Sequence, residues 1–252
     1  MARVSEFYDG MADFYHLLFQ DWDASIQRQA AILDCIFQQS NLAKQDVILD
    51  CACGIGTQSL GLASLGYKIT GSDISEGEIA RAKIEAAKRE LDIAFFVADF
   101  CELSAVFKNS LFDAIIAMDN ALPHLLEPEQ LARAAASISA QLKPGGTFLA
   151  SIRDYDAILQ EKPLSPAPYI LKTPNGKRIA FQIWDWSDRI YNFTQYIIED
   201  AQALTVYKFS STYNAITRCE LTEIFSEAGF RNIHWLMPEQ SGFYQPIIIA
   251  KK

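Results

Sequence analysis

The sequence predicts an α/β fold: a doubly wound, Rossmann-like and mostly parallel sheet of seven strands, with an antiparallel β insertion acting as a lid. Three observations lead there. Between Val47 and Ile152, short apolar runs alternate with helical stretches, as in a parallel sheet covered on both faces. A glycine-bearing turn joins the first run to the helix that follows it. Beyond Ile152 the rhythm changes to longer extended segments split by polar breaks, the pattern of an antiparallel meander.

In chain order, two helical stretches (5–19 and 23–39) precede the first strand, Val47-Ile48-Leu49-Asp50. Helices over 57–65, 75–90 and 127–142 then alternate with strands over 68–71, 93–97, 112–118 and 147–152. Ser75 and Glu78 have the spacing of a capping box, and Ile74 and Ile79 that of a hydrophobic staple. Lys143-Pro144-Gly145-Gly146 reads as a turn, and the proline-rich run 162–168 as a linker into the meander. The meander has three segments, 178–186, 190–199 and 204–213, broken at Ser187-Asp188-Arg189 and Asp200-Ala201-Gln202. A helix over 217–228, closed by Gly229, leads to strands 231–236 and 244–250. The expected organisation is therefore N-terminal helices (1–45) covering a cofactor site, a core domain (46–153 and 214–252), and an inserted lid or substrate region (154–213).

Composition narrows the function classes. With 22 Lys and Arg against 31 Asp and Glu, the net charge is −9, and no basic run can track a phosphate backbone. Nucleic acid and anionic membranes are not expected partners. No apolar stretch approaches the roughly 20 residues of a membrane span, and the first residues lack the apolar region of a secretory signal, so a cytoplasmic protein is expected. The five scattered cysteines suggest no disulfide framework, and three isolated histidines give no metal site at usable spacing.

The chemistry concentrates at Asp50-Cys51-Ala52-Cys53-Gly54-Ile55-Gly56-Thr57, where glycines let the backbone approach a ligand lying over the strand end. Such a turn also serves dinucleotide enzymes. Here Ser59 stands where a dinucleotide turn wants Gly or Ala, and Asp50 puts a carboxylate where a pyrophosphate would lie. That carboxylate suits a ligand bearing an ammonium group. Asp73 ends the second strand 19 residues after Gly54, where an acid can accept hydrogen bonds from both ribose hydroxyls of either ligand class; its alternative role is to favour the N-terminus of the next helix.

These residues resemble the ordered motifs of class I S-adenosylmethionine-dependent methyltransferases: Leu49 to Gly56, Ser72-Asp73-Ile74-Ser75, Val97-Ala98-Asp99-Phe100, Phe112-Asp113-Ala114-Ile115-Ile116 and Leu142-Lys143-Pro144-Gly145-Gly146. Ala52 departs from the glycine that many members carry. The resemblance implies S-adenosylmethionine as cofactor. It places Cys51, Gly54, Gly56, Asp73 and Ile74 around the donor, with Asp99 and Phe100 flanking adenine.

A narrower similarity, to glycine and sarcosine N-methyltransferases, rests on Asp119-Asn120-Ala121-Leu122-Pro123-His124-Leu125 and on Ile152-Arg153-Asp154-Tyr155-Asp156-Ala157-Ile158-Leu159. It implies that Arg153 holds a substrate carboxylate and Asn120 positions the amino acid, that Tyr15 and Arg28 close over the methionine part, and that Met118 and His124 line the pocket. A guanidinium fork at a strand end suits a bidentate carboxylate. Arg153 has an alternative in pairing with Asp154 or Asp156, and His124 in a purely structural place between Pro123 and Leu125. Asp119 departs from the glycine usual before the asparagine, which puts glycine itself in doubt as substrate.

The meander aromatics Trp184, Trp186, Tyr191, Phe193, Tyr196, Tyr207 and Tyr213 either line the lid or form its core. The expected activity is methyl transfer to a small-molecule acceptor, an amine of an amino-acid-like compound. The rivals are methylation of oxygen, carbon or carboxylate, an NAD-dependent oxidoreductase, and a non-catalytic adenosylmethionine-binding protein.

Overall fold

A computed structural model describes residues 4–173, 176–200 and 203–252. The start of the predicted N-terminal region (Met1-Ala2-Arg3) and part of the break predicted at 200–202 (Ala201, Gln202) lie outside them.

Seven strands form one sheet: β1 (Val47–Asp50), β2 (Lys68–Asp73), β3 (Ala94–Val97), β4 (Phe112–Ala117), β5 (Leu142–Ser151), β10 (Arg231–Leu236) and β11 (Ile247–Lys251). Their order is β10-β11-β5-β4-β1-β2-β3. β11 alone is reversed, antiparallel to both β10 and β5. The strands read as nearly continuous apolar runs because both faces are covered. Leu49, Ile115 and Phe148 meet α5 (Pro128–Gln141) and α7 (Arg218–Glu227) through Leu131, Ile138 and Phe225. Ile48, Ile116 and Leu149 meet α2 (Trp22–Gln39) and α3 (Thr57–Ser64) through Leu33, Phe37 and Leu62. The remaining helices are α1 (Val4–Met11), α4 (Glu76–Lys88), α6 (Tyr155–Glu161) and α8 (Pro238–Ser241).

The insertion is a second, four-stranded antiparallel sheet in the order β6 (Tyr169–Thr173), β7 (Gly176–Ser187), β8 (Ile190–Asp200), β9 (Leu204–Asn214). Three of its strands fall where the sequence puts them; β6 and α6 are additional. α6 starts at Asp154, whose side chain caps Ala157 N.

Several local expectations change. The first predicted helix breaks after Met11, and a 3₁₀ turn at Tyr15–Leu18 replaces its second half. The break lets Phe14 pack on Tyr207 of β9 (4.3 Å between ring centres) while Tyr15 turns inward. Lys143-Pro144-Gly145-Gly146 is a bulge inside β5: the partners of β4 jump from Leu142 to Thr147, with Gly145 at φ 78°. β11 begins only after Pro246, which has no N–H for the ladder.

At α4 the capping box is half made. Ser75 Oγ accepts from Glu78 N (3.0 Å), but Ser75 N donates to Asp73 Oδ1 (3.0 Å), and the Glu78 carboxyl goes elsewhere. Ile74 does not close a buried staple; it is 41% exposed and lines a cavity. No helix among the described residues is long and apolar enough to cross a membrane.

Candidate active site

The carboxyl ends of β1 to β5 converge on two adjoining cavities, on the side of the sheet where open α/β folds bind ligands. The first, about 440 Å³, is lined by the glycine turn, the end of β2, Asp99 and Phe100, Met118 and Asp119, and by Ser5 and Tyr8 of α1. The second, about 730 Å³, lies between α1, α2, the end of β5 and the inserted sheet. Tyr8, Tyr15 and Asp119 line both, so these three side chains mark the seam.

In the first cavity Asp73 Oδ2 accepts from Gly54 N (2.9 Å). Gly54 has φ 53°, and a Cβ there would lie 3.0 Å from Glu78 Oε2. Two carboxyl groups therefore converge on one glycine. Glu78 is buried, its Oε1 has no hydrogen-bond partner, and burial pushes its carboxyl well above the ordinary range. Burial also raises Asp73, opposed by the amides of Ser75 and Gly54, and Asp119 is raised by the same cause. Such a dry acidic lining favours a ligand that brings positive charge and hydroxyl donors. A sulfonium nucleoside has both, so the residues present fit S-adenosylmethionine.

Most of the sequence-predicted donor residues come together here: Tyr15, Cys51, Gly54, Asp73, Ile74, Asp99, Phe100, Met118 and His124 all line the first cavity. Three do not. Arg28 lines the second cavity, where its guanidinium reaches Ser25 Oγ at 3.5 Å. Gly56, at φ 95°, is the N-cap of α3, and a Cβ there would crowd Leu60 at 3.2 Å. Asp50 lies beneath the turn, fully buried, and accepts from Ser59 Oγ at 2.7 Å. Ser59 thus anchors a buried acid instead of packing a helix as Gly or Ala would.

Burial raises the Asp50 carboxyl to about 7. An acid raised on folding stabilises the fold below its unfolded pKa of about 4, and that contribution is lost as pH rises through 7. The His124 imidazole, lowered by burial to about 3, acts oppositely, since it loses stability as pH falls below about 6.5. The difference between wild type and Asp50→Asn isolates the first effect. By thermal denaturation, the variant is expected to gain stability relative to wild type between pH 4 and 8, by at most about 4 kcal/mol.

His124 is a neutral scaffold. Its Nδ1 donates to Thr212 O (3.2 Å), which leaves Nε2 to accept from the Tyr8 hydroxyl (2.7 Å). This pair ties α1 to β9 over the seam.

The second cavity is built around Arg153, just past β5. Its guanidinium donates to Tyr191 Oη (2.8 Å) and Gln182 Oε1 (3.1 Å) and lies 4.9 Å from the Trp184 ring and 5.2 Å from that of Tyr213. No acidic side chain among the described residues pairs with it. Asp154 and Asp156, its alternative partners, pair with Arg218 instead (2.6 and 3.4 Å). Asn120 is buried and bonded at both ends of its amide: its Oδ1 accepts from Arg153 N (2.9 Å) and its Nδ2 donates to Tyr155 Oη (3.0 Å), which ties the ends of β4 and β5 together. Of the meander aromatics, Trp184, Phe193 and Tyr213 line this cavity, whereas Tyr196 stacks on Phe181 and Tyr207 packs at a tilt against Phe14.

The site also contains residues that sequence reading did not assign: Tyr8, Gln58, Glu78, Gln182 and Tyr244. Glu78 carried the signal of a helix cap; the others carry no local signal.

The sheet order is that of a class I methyltransferase fold. Residues 48–146 match a protein-family profile described as a methyltransferase domain. Over those residues the chain carries a methyltransferase domain. No curated protein matches it in sequence.

Solved structures match its fold. CcbJ methyltransferase from Streptomyces caelestis superposes with a TM-score of 0.79 at 15% identity, covering 99% of this chain and 98% of its own. CalS10, an amino pentose methyltransferase from Micromonospora echinaspora solved with S-adenosylmethionine bound, gives 0.72 at 17%, covering 90% and 91%. The sugar N-methyltransferase KedS8 from Streptoalloteichus gives 0.70 at 14%, covering 100% and 94%.

Proposed function

We propose that this chain transfers a methyl group from S-adenosylmethionine to the amine of a small, amino-acid-like acceptor that also carries an anionic group. One observation carries this reading: Arg153 holds a cation in the second cavity with no carboxylate of the protein to neutralise it. Burying a cation without a counter-charge is costly, so the acceptor is expected to supply the anion.

In this reading Asp73, Gly54 and Glu78 hold the ribose end of the donor, and Ile74 and Phe100 flank its adenine. The donor supplies an electrophilic methyl group on a charged sulfur. The protein's task is then to align the acceptor, and positioning of this kind supplies about 7–11 kcal/mol in favourable models. Arg153 fixes the anion, Asn120 fixes Arg153, and Tyr8 and Tyr15 exclude water at the seam.

The second cavity is wider than the acceptor of a glycine methyltransferase requires. At about 730 Å³ it falls in the range of about 300–1,000 Å³ that holds drug-sized ligands, and Leu18, Phe181, Trp184 and Phe193 give it apolar walls. An acceptor with an apolar or ring-shaped body fits it better than glycine. Release of S-adenosylhomocysteine is to be measured over a panel of amino acids, aromatic amino acids, amino sugars and acidic amino sugars, with the methylated atom located by mass spectrometry. N-methylation confined to anionic amines is the expected result; turnover of neutral alcohols alone would overturn the reading.

A further inference from the structure

We infer that Asp119 receives the acceptor's amine at the seam between the two cavities and thereby makes nitrogen the methylated atom, an inference that rests on the amine reading above. Asp119 lines both cavities, and its two oxygens are held from opposite sides. Oδ2 accepts from Gln58 Nε2 (2.8 Å), a residue of the donor pocket. Oδ1 accepts from the hydroxyl of Tyr244, a residue of the acceptor cavity. Gln58 is itself fixed, since the same nitrogen donates to Gln29 Oε1 (2.7 Å). The carboxylate therefore has a set plane across the seam, and each oxygen keeps a further lone pair.

The backbone is bent to put it there. Asp119 and Asn120 are consecutive left-handed residues, at φ 57° and 70°. Ser151 maintains the elbow, its Oγ accepting from Asp119 N (2.8 Å) and its carbonyl from Asn120 N (3.0 Å). Glycine would adopt this bend without strain, so an acid at this point marks a use for the side chain. Its bonded partners are neutral, and no Lys or Arg among the described residues pairs with it. The positive charge it needs comes from what crosses the seam.

A neutral amine donates an N–H to this carboxylate, which aims its lone pair at the donor's methyl group. On taking the methyl group the nitrogen keeps its protons and becomes cationic, while the sulfur retains the bonding pair and becomes neutral. The charge moves across the seam yet stays beside one acid, so the contact strengthens as the transfer proceeds.

The test uses two ligands and no acceptor. Sinefungin carries a primary amine in place of the S-methyl group; S-adenosylhomocysteine carries neither. Calorimetry on wild type and Asp119→Asn is expected to show sinefungin weakened by about tenfold or more, the loss of a charge-assisted contact, and S-adenosylhomocysteine changed by less than about twofold. Equal weakening of both ligands, or no change in either, overturns the proposal. Asp119→Gly suits the left-handed backbone and must give the same separation, which covers a failure of the Asn variant to fold. Both ligands carry the same amino-acid carboxylate, so any contact of it with Arg153 cancels between them. N-methylation of amines that carry no anion, with a positive sinefungin result, removes the anionic-acceptor reading alone; N-methylation confined to anionic amines, with a negative sinefungin result, removes Asp119 alone; and turnover of alcohols alone removes both.

Discussion

Asp73→Ala is expected to weaken S-adenosylmethionine by at least about 100-fold, because two hydrogen bonds to a charged acceptor are each worth about 1.5–3 kcal/mol. Asp73 does two things at once. In the proposed reading it presents its carboxylate to the ribose of the donor, and it holds the glycine turn in shape through Gly54 N and Ser75 N (2.9 and 3.0 Å). In the proposed reading, removing it deletes the ligand contact and the acceptor that Gly54 N and Ser75 N share. Calorimetry gives the affinity, and circular dichroism checks that the fold survives. An unchanged dissociation constant would take Asp73 out of the donor site.

The second large effect is expected at Arg153. Truncating one partner of a buried charge pair costs about 2–5 kcal/mol, so Arg153→Met should lower kcat/KM for an anionic acceptor by about 30- to 4,000-fold. Donor affinity should stay within about twofold, since Arg153 lies outside the first cavity. The melting temperature should hold or rise, because the variant removes a buried charge that the protein leaves without an acidic partner. That combination of lost turnover, intact donor binding and undiminished stability separates substrate recognition from a structural role. A variant that melts lower and turns over normally would assign Arg153 to the fold. Arg153→Lys is expected to rescue little, because an ammonium lacks the planar fork that Tyr191 and Gln182 hold in place.

The lining of the first cavity was legible in the sequence because it is local. The turn from Asp50 to Thr57 follows one strand directly, Asp73 ends the next, and Asp99 and Met118 sit at two more strand ends, so strand order alone brings them together. Where the reading went astray, burial decided. Asp50 and Gly56 support the turn from beneath instead of facing the cavity, a distinction of inside from outside that residue spacing does not carry.

The acceptor half depends on long-range contacts. Tyr8 meets His124 across 116 positions, and Arg153 is held by Gln182 and Tyr191, 29 and 38 residues on, in a sheet whose placement no local pattern specifies. β6 escaped detection because Tyr169 and Ile170 are mostly exposed, at 65% each, and follow a proline-rich run that reads as a linker. Glu78 was hidden by its own plausibility, since a helix cap accounts for its position without reference to a ligand.

Tyr8, Tyr15 and Asp119 line both compartments, and in the proposed reading this couples the two ligands. Whichever molecule arrives first contacts a wall that the second must also contact, so each is expected to change the affinity of the other. Linkage then requires reciprocity: the factor by which donor occupancy tightens the acceptor equals the factor by which the acceptor tightens the donor. In the proposed reading, once the methyl group has moved the demethylated donor loses its charge contact with that wall, while the methylated amine keeps its own, so the donor product is the one released more readily.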